Sequence, residues 1–450
     1  MGRIARFFNV AAAGSTVGRE VLGGLTTFLT MAYIMAVNPV LLAAAGMPRE
    51  GAVLATVVAS AVATLAMGLV ANLPVALAPG MGLNAFFAYT ICINNQVPWQ
   101  TALGLLALVS LVFLALTVGR VRAAITEAVP RTLRFAAAVG IGLFITTIGL
   151  QHAGLVAPHP ATYVTLGDLG AAHVRLALAG LAITLVLAAR RVRTAVFWGV
   201  LATALLAMWL GMIAAPAGAW LRPPAMTFPG REMDLRAALD PALAPLGLVL
   251  LFFALFDAMG TLYAVGTEAG LLDDAGRFPR LGRALMVDAG GALAGALLGT
   301  SSVTCYIESA TGVSVGARTG LASVVTAACF LLSLFCIPVV LALSAGVSVE
   351  TAGGVHTYYP VTAPALIVVG VLMARSVVRI AWDDLTEAVP AFLTLVLMPA
   401  TFSISHGLAA GFVSYAGMKL AAGKGREVHW LVYALAVLFA WRYLAFPEVR

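Results

Sequence analysis

The chain has 450 residues, 62% of them hydrophobic and only 10% charged, with a mean hydropathy of +1.01. That balance excludes a soluble globular protein and specifies an all-α polytopic membrane protein held in a lipid bilayer. The formal charge of +7 comes from arginines scattered in short gaps between apolar runs. This is the pattern of cytoplasmic loops, so no nucleic-acid partner is expected. Cys92, Cys305, Cys329 and Cys336 fall in or beside apolar runs without metal-type spacing, so neither disulfides nor a metal or other cofactor is expected.

At about 20 residues per crossing, the apolar runs of the first half lie near residues 20–40, 51–72, 75–95, 98–118, 132–151, 173–190 and 194–215. Arg3 and Arg6 precede the first run, which is too long for the apolar core of a signal peptide and is expected to remain as span one. After a polar interval, 216–241, further runs lie near 243–265, 284–299, 301–317, 319–343, 361–375, 388–405 and 406–422. A last run, 429–446, contains Arg442 and is compatible either with crossing the membrane or with lying along its surface.

The arginines test this count. Arg120, Arg122, Arg131 and Arg134 flank the gap after span four, Arg190, Arg191 and Arg193 follow span six, and Arg277, Arg280 and Arg283 follow span eight. The gaps after spans five and eleven contain no Lys or Arg, which puts the N-terminus in the cytoplasm. Arg222, Arg231 and Arg236, in the long gap after span seven, are the exception.

An odd number of spans in each half places the halves in opposite orientation, as inverted repeats. The third run of each half is unusual. Span three reads LPVALAPGMGLNAFFAYT from Leu73, and span ten reads TSSVTCYIESATGVSVGARTG from Thr300. Each is an extended piece leading into a short helix, and irregular backbone at membrane depth implies a site near the midplane. The motif TEAVP also occurs twice, at Thr126 to Pro130 and Thr386 to Pro390. That match would pair span five with span thirteen, against the repeat, and is read as chance or local cap chemistry.

Two carboxylates interrupt the apolar runs. Asp257 lies in FFALFDAMGTLYAVG with Thr261 one turn away, and an unpaired charge there is expected to face a partner, water or substrate. Glu308 falls where the half-helix of span ten begins. Asn84, after GMG, can offer a donor and an acceptor to a planar ligand or cap the broken span three. Phe86 and Phe87 can stack a flat ring or simply pack. Asp288, five residues after Arg283, reads as half of a salt bridge near the cytoplasmic end. The histidines lie at edges or in loops, with His406 at a turn between spans thirteen and fourteen. No HExxH, GxSxG or P-loop pattern supports an enzyme.

Taken in order, GGLTTFLTMAYIMAVNP from Gly23, APGMGLNAFFAYT from Ala78, LFDAMGTLYAVG from Leu255, GTSSVTCYIESATGVSVGARTGLAS from Gly299 and PALIVVGVLM from Pro364 resemble the purine permeases of the nucleobase:cation symporters. The branch is that of the hypoxanthine/guanine/adenine permeases. The resemblance implies a uracil-permease-like fold of about 14 spans in two inverted seven-span repeats, divided into a core domain (20–118 and 243–343) and a gate domain (131–215 and 361–422). It implies that purine binds in the core against spans three and ten, with Asp257, Glu308 and Asn84 matching the family's two acids and amide. A homodimer would be made through the gate. A carboxylate suits purine N–H groups, and accumulating a neutral base requires a coupled ion, here a proton carried by Glu308 or Asp257. The expected function is import of adenine, guanine or hypoxanthine across the cytoplasmic membrane by proton symport, the alternative being an anion transporter or exchanger of the same fold.

Overall fold

The computed structural model describes residues 2–119, 122, 128–216, 220–221, 225–273, 278–351 and 354–445, with the side chains of 256, 257, 351, 354 and 442–445 outside that description. A short helix α1 (Gly2–Phe7) precedes span one, which is two helices, α2 (Val17–Met31) and α3 (Ile34–Ala44), interrupted at Ala32 and Tyr33. Pro39, nearly two turns further on inside α3, has no N–H to give to the preceding turn. α4 (Arg49–Ala66) runs on through a π-helical turn, Met67–Ala71, to the left-handed Asn72. Span three is strand β1 (Leu77–Pro79) followed by α5 (Met81–Ala85), which widens into a π-helix, Phe86–Asn94. α6 (Trp99–Val118), α7 (Arg131–His152), a hairpin of β2 (Val156–His159) and β3 (Tyr163–Leu166), α8 (Ala172–Ala189) and α9 (Ala195–Trp209) complete the first half.

The second half repeats the plan. α10 (Ala244–Glu268) and α11 (Leu281–Leu298) lead to β4 (Val303–Cys305), the six-residue α12 (Ser309–Ser314), α13 (Gly320–Ser333) and α14 (Ile337–Leu343). A second hairpin, β5 (Val347–Thr351) and β6 (Gly354–Tyr358), precedes α15 (Ala363–Ala374), α16 (Leu385–Ala400), α17 (Ile404–Ala421) and α18 (Trp430–Ala445). Both hairpins fall in stretches read from sequence as plain gaps. Short strands that pair only with each other leave little apolar periodicity to detect. His406 is the third residue of α17 rather than part of a turn, because the chain reverses earlier, at Thr401 to Ser403.

The helices pack in two groups. α2 and α4 pack against α13, and α4 and α6 against α11; separately, α7 packs against α15 and α16, α8 against α9, and α16 against α17. α18 packs along α17, with Phe439 meeting Phe412 at 5.9 Å and Val432 buried, while Trp430 and Val437 face outward. In the first group β1 and β4 pair antiparallel, Leu77 opposite Cys305 and Pro79 opposite Val303. Beside that crossing α2 and α12 approach closely: a Cβ on Gly23 of α2 would come within 3.0 Å of the Gly312 carbonyl oxygen of α12.

An ion pair locks this group. Asp288 on α11 is paired with Arg122 at 3.0 Å, both almost fully buried, and Asp288 Oδ1 also accepts the Cys305 N–H of β4 (3.3 Å). Arg122 donates further to the carbonyls of Leu285 and Ala254, each at 3.3 Å, and lies 4.3 Å from the centroid of Phe113. The partner of Asp288 is therefore not Arg283, and Arg122 is an interior group rather than one of the surface arginines of its gap. A buried carboxylate needs a partner that reaches it inside the protein, and the chain end after α6 provides one. Removing one member strands the other in a dry interior, so Asp288→Ala is expected to cost about 3–5 kcal/mol. Arg122→Met with Asp288→Leu should recover most of that loss. Apparent melting temperatures of the detergent-purified variants, compared with the native chain, check both outcomes.

Candidate functional site

Unwinding the chain in a membrane exposes peptide groups that have no water to bond. Around β1 and β4 the hydroxyl side chains take that place. Thr64 Oγ1 accepts the Leu77 N–H (2.9 Å) and donates to the Leu77 carbonyl (3.0 Å), Ser309 Oγ accepts the Ala76 N–H (3.0 Å), and Ser323 Oγ donates to the Leu73 carbonyl (2.6 Å). The Gly80 N–H reaches the Ser302 carbonyl (2.9 Å), and the Tyr306 N–H reaches that of Ala76 (3.0 Å). The Tyr306 hydroxyl donates to the Pro79 carbonyl at 2.5 Å. Nearby, Asn38 Nδ2 of α3 donates to Thr56 Oγ1 (2.8 Å) and Thr300 Oγ1 (2.9 Å). The Ser- and Thr-rich segment after α11 thus bonds partly to backbone, through Ser309, and partly to buried side chains, through Thr300 and Ser301, which is why so polar a stretch can lie within an apolar chain.

Glu308 stands at the end of this crossing, as the residue before α12, and is half-buried. Its Oε1 accepts the Tyr33 hydroxyl at 2.7 Å. Among the described residues its other oxygen, Oε2, accepts no hydrogen bond. Tyr33 sits at the interruption between α2 and α3, and Thr30 in the turn before it shares a hydrogen bond with Thr311 of α12 (3.0 Å). Sequence reasoning missed Tyr33, because nothing marks a tyrosine within an apolar run as polar-facing. The nearest signal was Pro39, six residues further on inside α3. α12 spans less than two helical turns, so a single phenol hydroxyl, more than a long helix dipole, fixes this carboxylate.

The other sequence-derived residues are distributed differently. Asn84 is brought to the crossing, but it is fully buried and its amide is engaged there: Nδ2 donates to the Pro79 carbonyl (3.3 Å) and Oδ1 accepts the Ser301 hydroxyl. It neither caps α5, whose first turn follows Gly80, nor presents its carbonyl outward. Phe86 and Phe87 are fully buried, Phe86 against Phe253 at 5.7 Å between centroids, so neither ring is exposed. Thr261 is half-buried on α10, which packs against β4 and α12. Asp257 lies on the same helix one turn earlier, and its side chain is outside the described residues. Among the described residues no group of His, Cys, Asp and Glu could hold a metal ion.

Comparison with known proteins gives one answer at two levels. The model of the permease family matches residues 18–410. The adenine permease AdeP of Escherichia coli is 42% identical over 97% of this chain and 95% of its own length. The guanine/hypoxanthine permease PbuG of Bacillus subtilis is 41% identical over 96% and 98%. In shape, the transmembrane domain of the cyanobacterial bicarbonate transporter BicA superposes with a TM-score of 0.61, covering 88% of this chain and 97% of that one at 15% identity. At that identity the superposition shows the fold alone, whereas the similarity to the permeases runs from end to end. The chain belongs to the permease family, in the purine permease branch of the nucleobase transporters.

Proposed function

We propose that the protein imports purine nucleobases by proton symport, with α2–α6 and α10–α14 acting as a core that moves against a gate of α7–α9 and α15–α17. The observation that carries this reading is Glu308, a half-buried carboxylate at the β1–β4 crossing with one oxygen held by Tyr33 and the other unbonded among the described residues. A planar purine offers N–H donors to such a carboxylate, and a carboxylate at membrane depth is a natural proton carrier. Relatives named for adenine and for guanine/hypoxanthine are equally similar to this chain, so purines as a class are the proposed substrate. The two packing groups support a core and a gate, and the arginine asymmetry supports a cytoplasmic N-terminus in the cytoplasmic membrane. An anion carrier on the same frame would have to bring its ligand against the charge of Glu308, which favours the neutral base.

In this reading Tyr33 orients the carboxylate for the base. Asp257 is the second acid, one turn from Thr261 on α10, and shares the coupling role with Glu308. The motion that alternates access is proposed to occur between the two groups, whose mutual contacts include α5 lying against α7.

The test is uptake of radiolabelled adenine, guanine, hypoxanthine and uracil by cells lacking their own carriers. Saturable purine uptake that collapses with a protonophore is expected of the native chain, and Glu308→Gln should reach the membrane yet lose concentrative uptake. No uptake of any base by a protein that reaches the membrane would refute the assignment. Tyr33→Phe should raise the KM for purine about three- to tenfold, the worth of one orienting hydrogen bond, while uptake stays protonophore-sensitive; an unchanged KM would remove Tyr33 from the site.

A further inference from the structure

A second cluster of polar and aromatic side chains lies away from Glu308, where the two packing groups meet at one end. The side chains are Arg49 at the start of α4, Tyr89 on the π-helical part of span three, His152 at the end of α7, and Tyr359 just before α15. His152 Nε2 and the Tyr89 hydroxyl share a hydrogen bond at 3.2 Å, and Arg49 Nη2 donates to the Tyr359 hydroxyl at 2.7 Å. Both bonds run from one group to the other. His152 and Tyr359 join the two bonds, since their rings lie 5.0 Å apart and the Tyr359 N–H donates to the His152 carbonyl at 2.8 Å. A third bond crosses at the same end, from Asn94 Nδ2 to the Phe402 carbonyl (3.1 Å). The Phe402 ring packs edge-on against Tyr89 at 5.3 Å and Phe144 at 5.1 Å.

We propose that Arg49, Tyr89, His152 and Tyr359 form the outer gate of the carrier, a latch that holds core against gate on the external side. The inference rests on the alternating-access reading above. By the arginine asymmetry α7 runs outward to His152 and α4 begins outside at Arg49, so the cluster closes the external side while Glu308 lies deeper.

Two features make this closure reversible. Among the described residues the buried Nδ1 of His152 has no hydrogen-bond partner, and Phe402 holds a left-handed backbone conformation (φ 51°) that is unfavourable for a bulky residue. Both costs belong to the closed arrangement. Water entering on opening would satisfy Nδ1, and release of the Phe402 ring would let its turn relax. A purely structural contact would gain nothing from an unsatisfied nitrogen at its centre.

The face of α7 below the latch is apolar. Ile141, Ile145 and Ile148 lie on the stripe that ends at His152, and Ile141 meets Gly82 of α5, where an added Cβ would approach Ile141 Cγ2 to 2.7 Å. Opening the latch would uncover that stripe from outside, and Ile148, 1% exposed, is the reporter nearest it.

The experiment measures labelling of Ile148→Cys by a membrane-impermeant maleimide on intact cells, as the increment over the same chain without that cysteine. Tyr89→Phe and Tyr359→Phe each remove one cross-group hydrogen bond and keep the ring. Each should speed labelling about two- to tenfold, the range expected from one hydrogen bond. Ala177→Cys, buried among α7, α8 and their neighbours away from the interface, should be labelled no faster in either variant. Unchanged labelling at Ile148→Cys, or a rise at both reporters, would overturn the latch. Because labelling needs no substrate, faster labelling without purine uptake would leave the latch standing and the purine reading refuted. Purine uptake with unchanged labelling would do the reverse.

Discussion

Two extended pieces of chain, β1 and β4, cross inside a protein whose surroundings supply no water, and every peptide group they unwind must be bonded by the protein itself. Much of the local structure answers that demand. Thr64, Ser309 and Ser323 bond to the backbone around β1, Asp288 to that of β4, and Arg122 holds Asp288. Small residues let the helices approach closely enough for those short side chains to reach, as Gly23 and Gly312 do where α2 passes α12. The polar content of the core is thus chiefly a consequence of broken spans.

Against that background Glu308 stands out. Asp288 is consumed by Arg122 and by the β4 backbone, and Asn84 by Pro79 and Ser301. Glu308 keeps one oxygen without a partner among the described residues, and its other oxygen accepts only a phenol hydroxyl. Under the proposed function, that open oxygen is where a hydrogen-bonding ligand would be held. The cluster around His152 has a related incompleteness, a buried ring nitrogen without a partner among the described residues at the meeting of the two groups.

Much of this was legible in the chain. Apolar runs of membrane-spanning length, two Pro- and Gly-interrupted segments in matching places and an acid inside one of them require a multi-pass fold with paired broken helices. The physical reason is local: hydrocarbon tolerates neither long polar helices nor unbonded backbone, so these features appear in the order of residues itself. Glu308 and the extended character of Val303 to Cys305 belong to this class.

Partnership was decided only in three dimensions. Arg122 looked like a loop arginine and is the buried mate of Asp288, 166 positions away. Tyr33, unmarked within an apolar run, holds Glu308 across 275 positions. Asn84 could serve a ligand or a cap, yet a serine 217 positions distant takes its carbonyl. A side chain's type states which bonds it is able to make, while the neighbour that fills them is set by how remote helices cross. The sequence by itself determined a membrane transporter with two broken spans and an acid at one of them. Only the tertiary structure decided which of its polar groups bond to one another, because that depends on how remote helices cross.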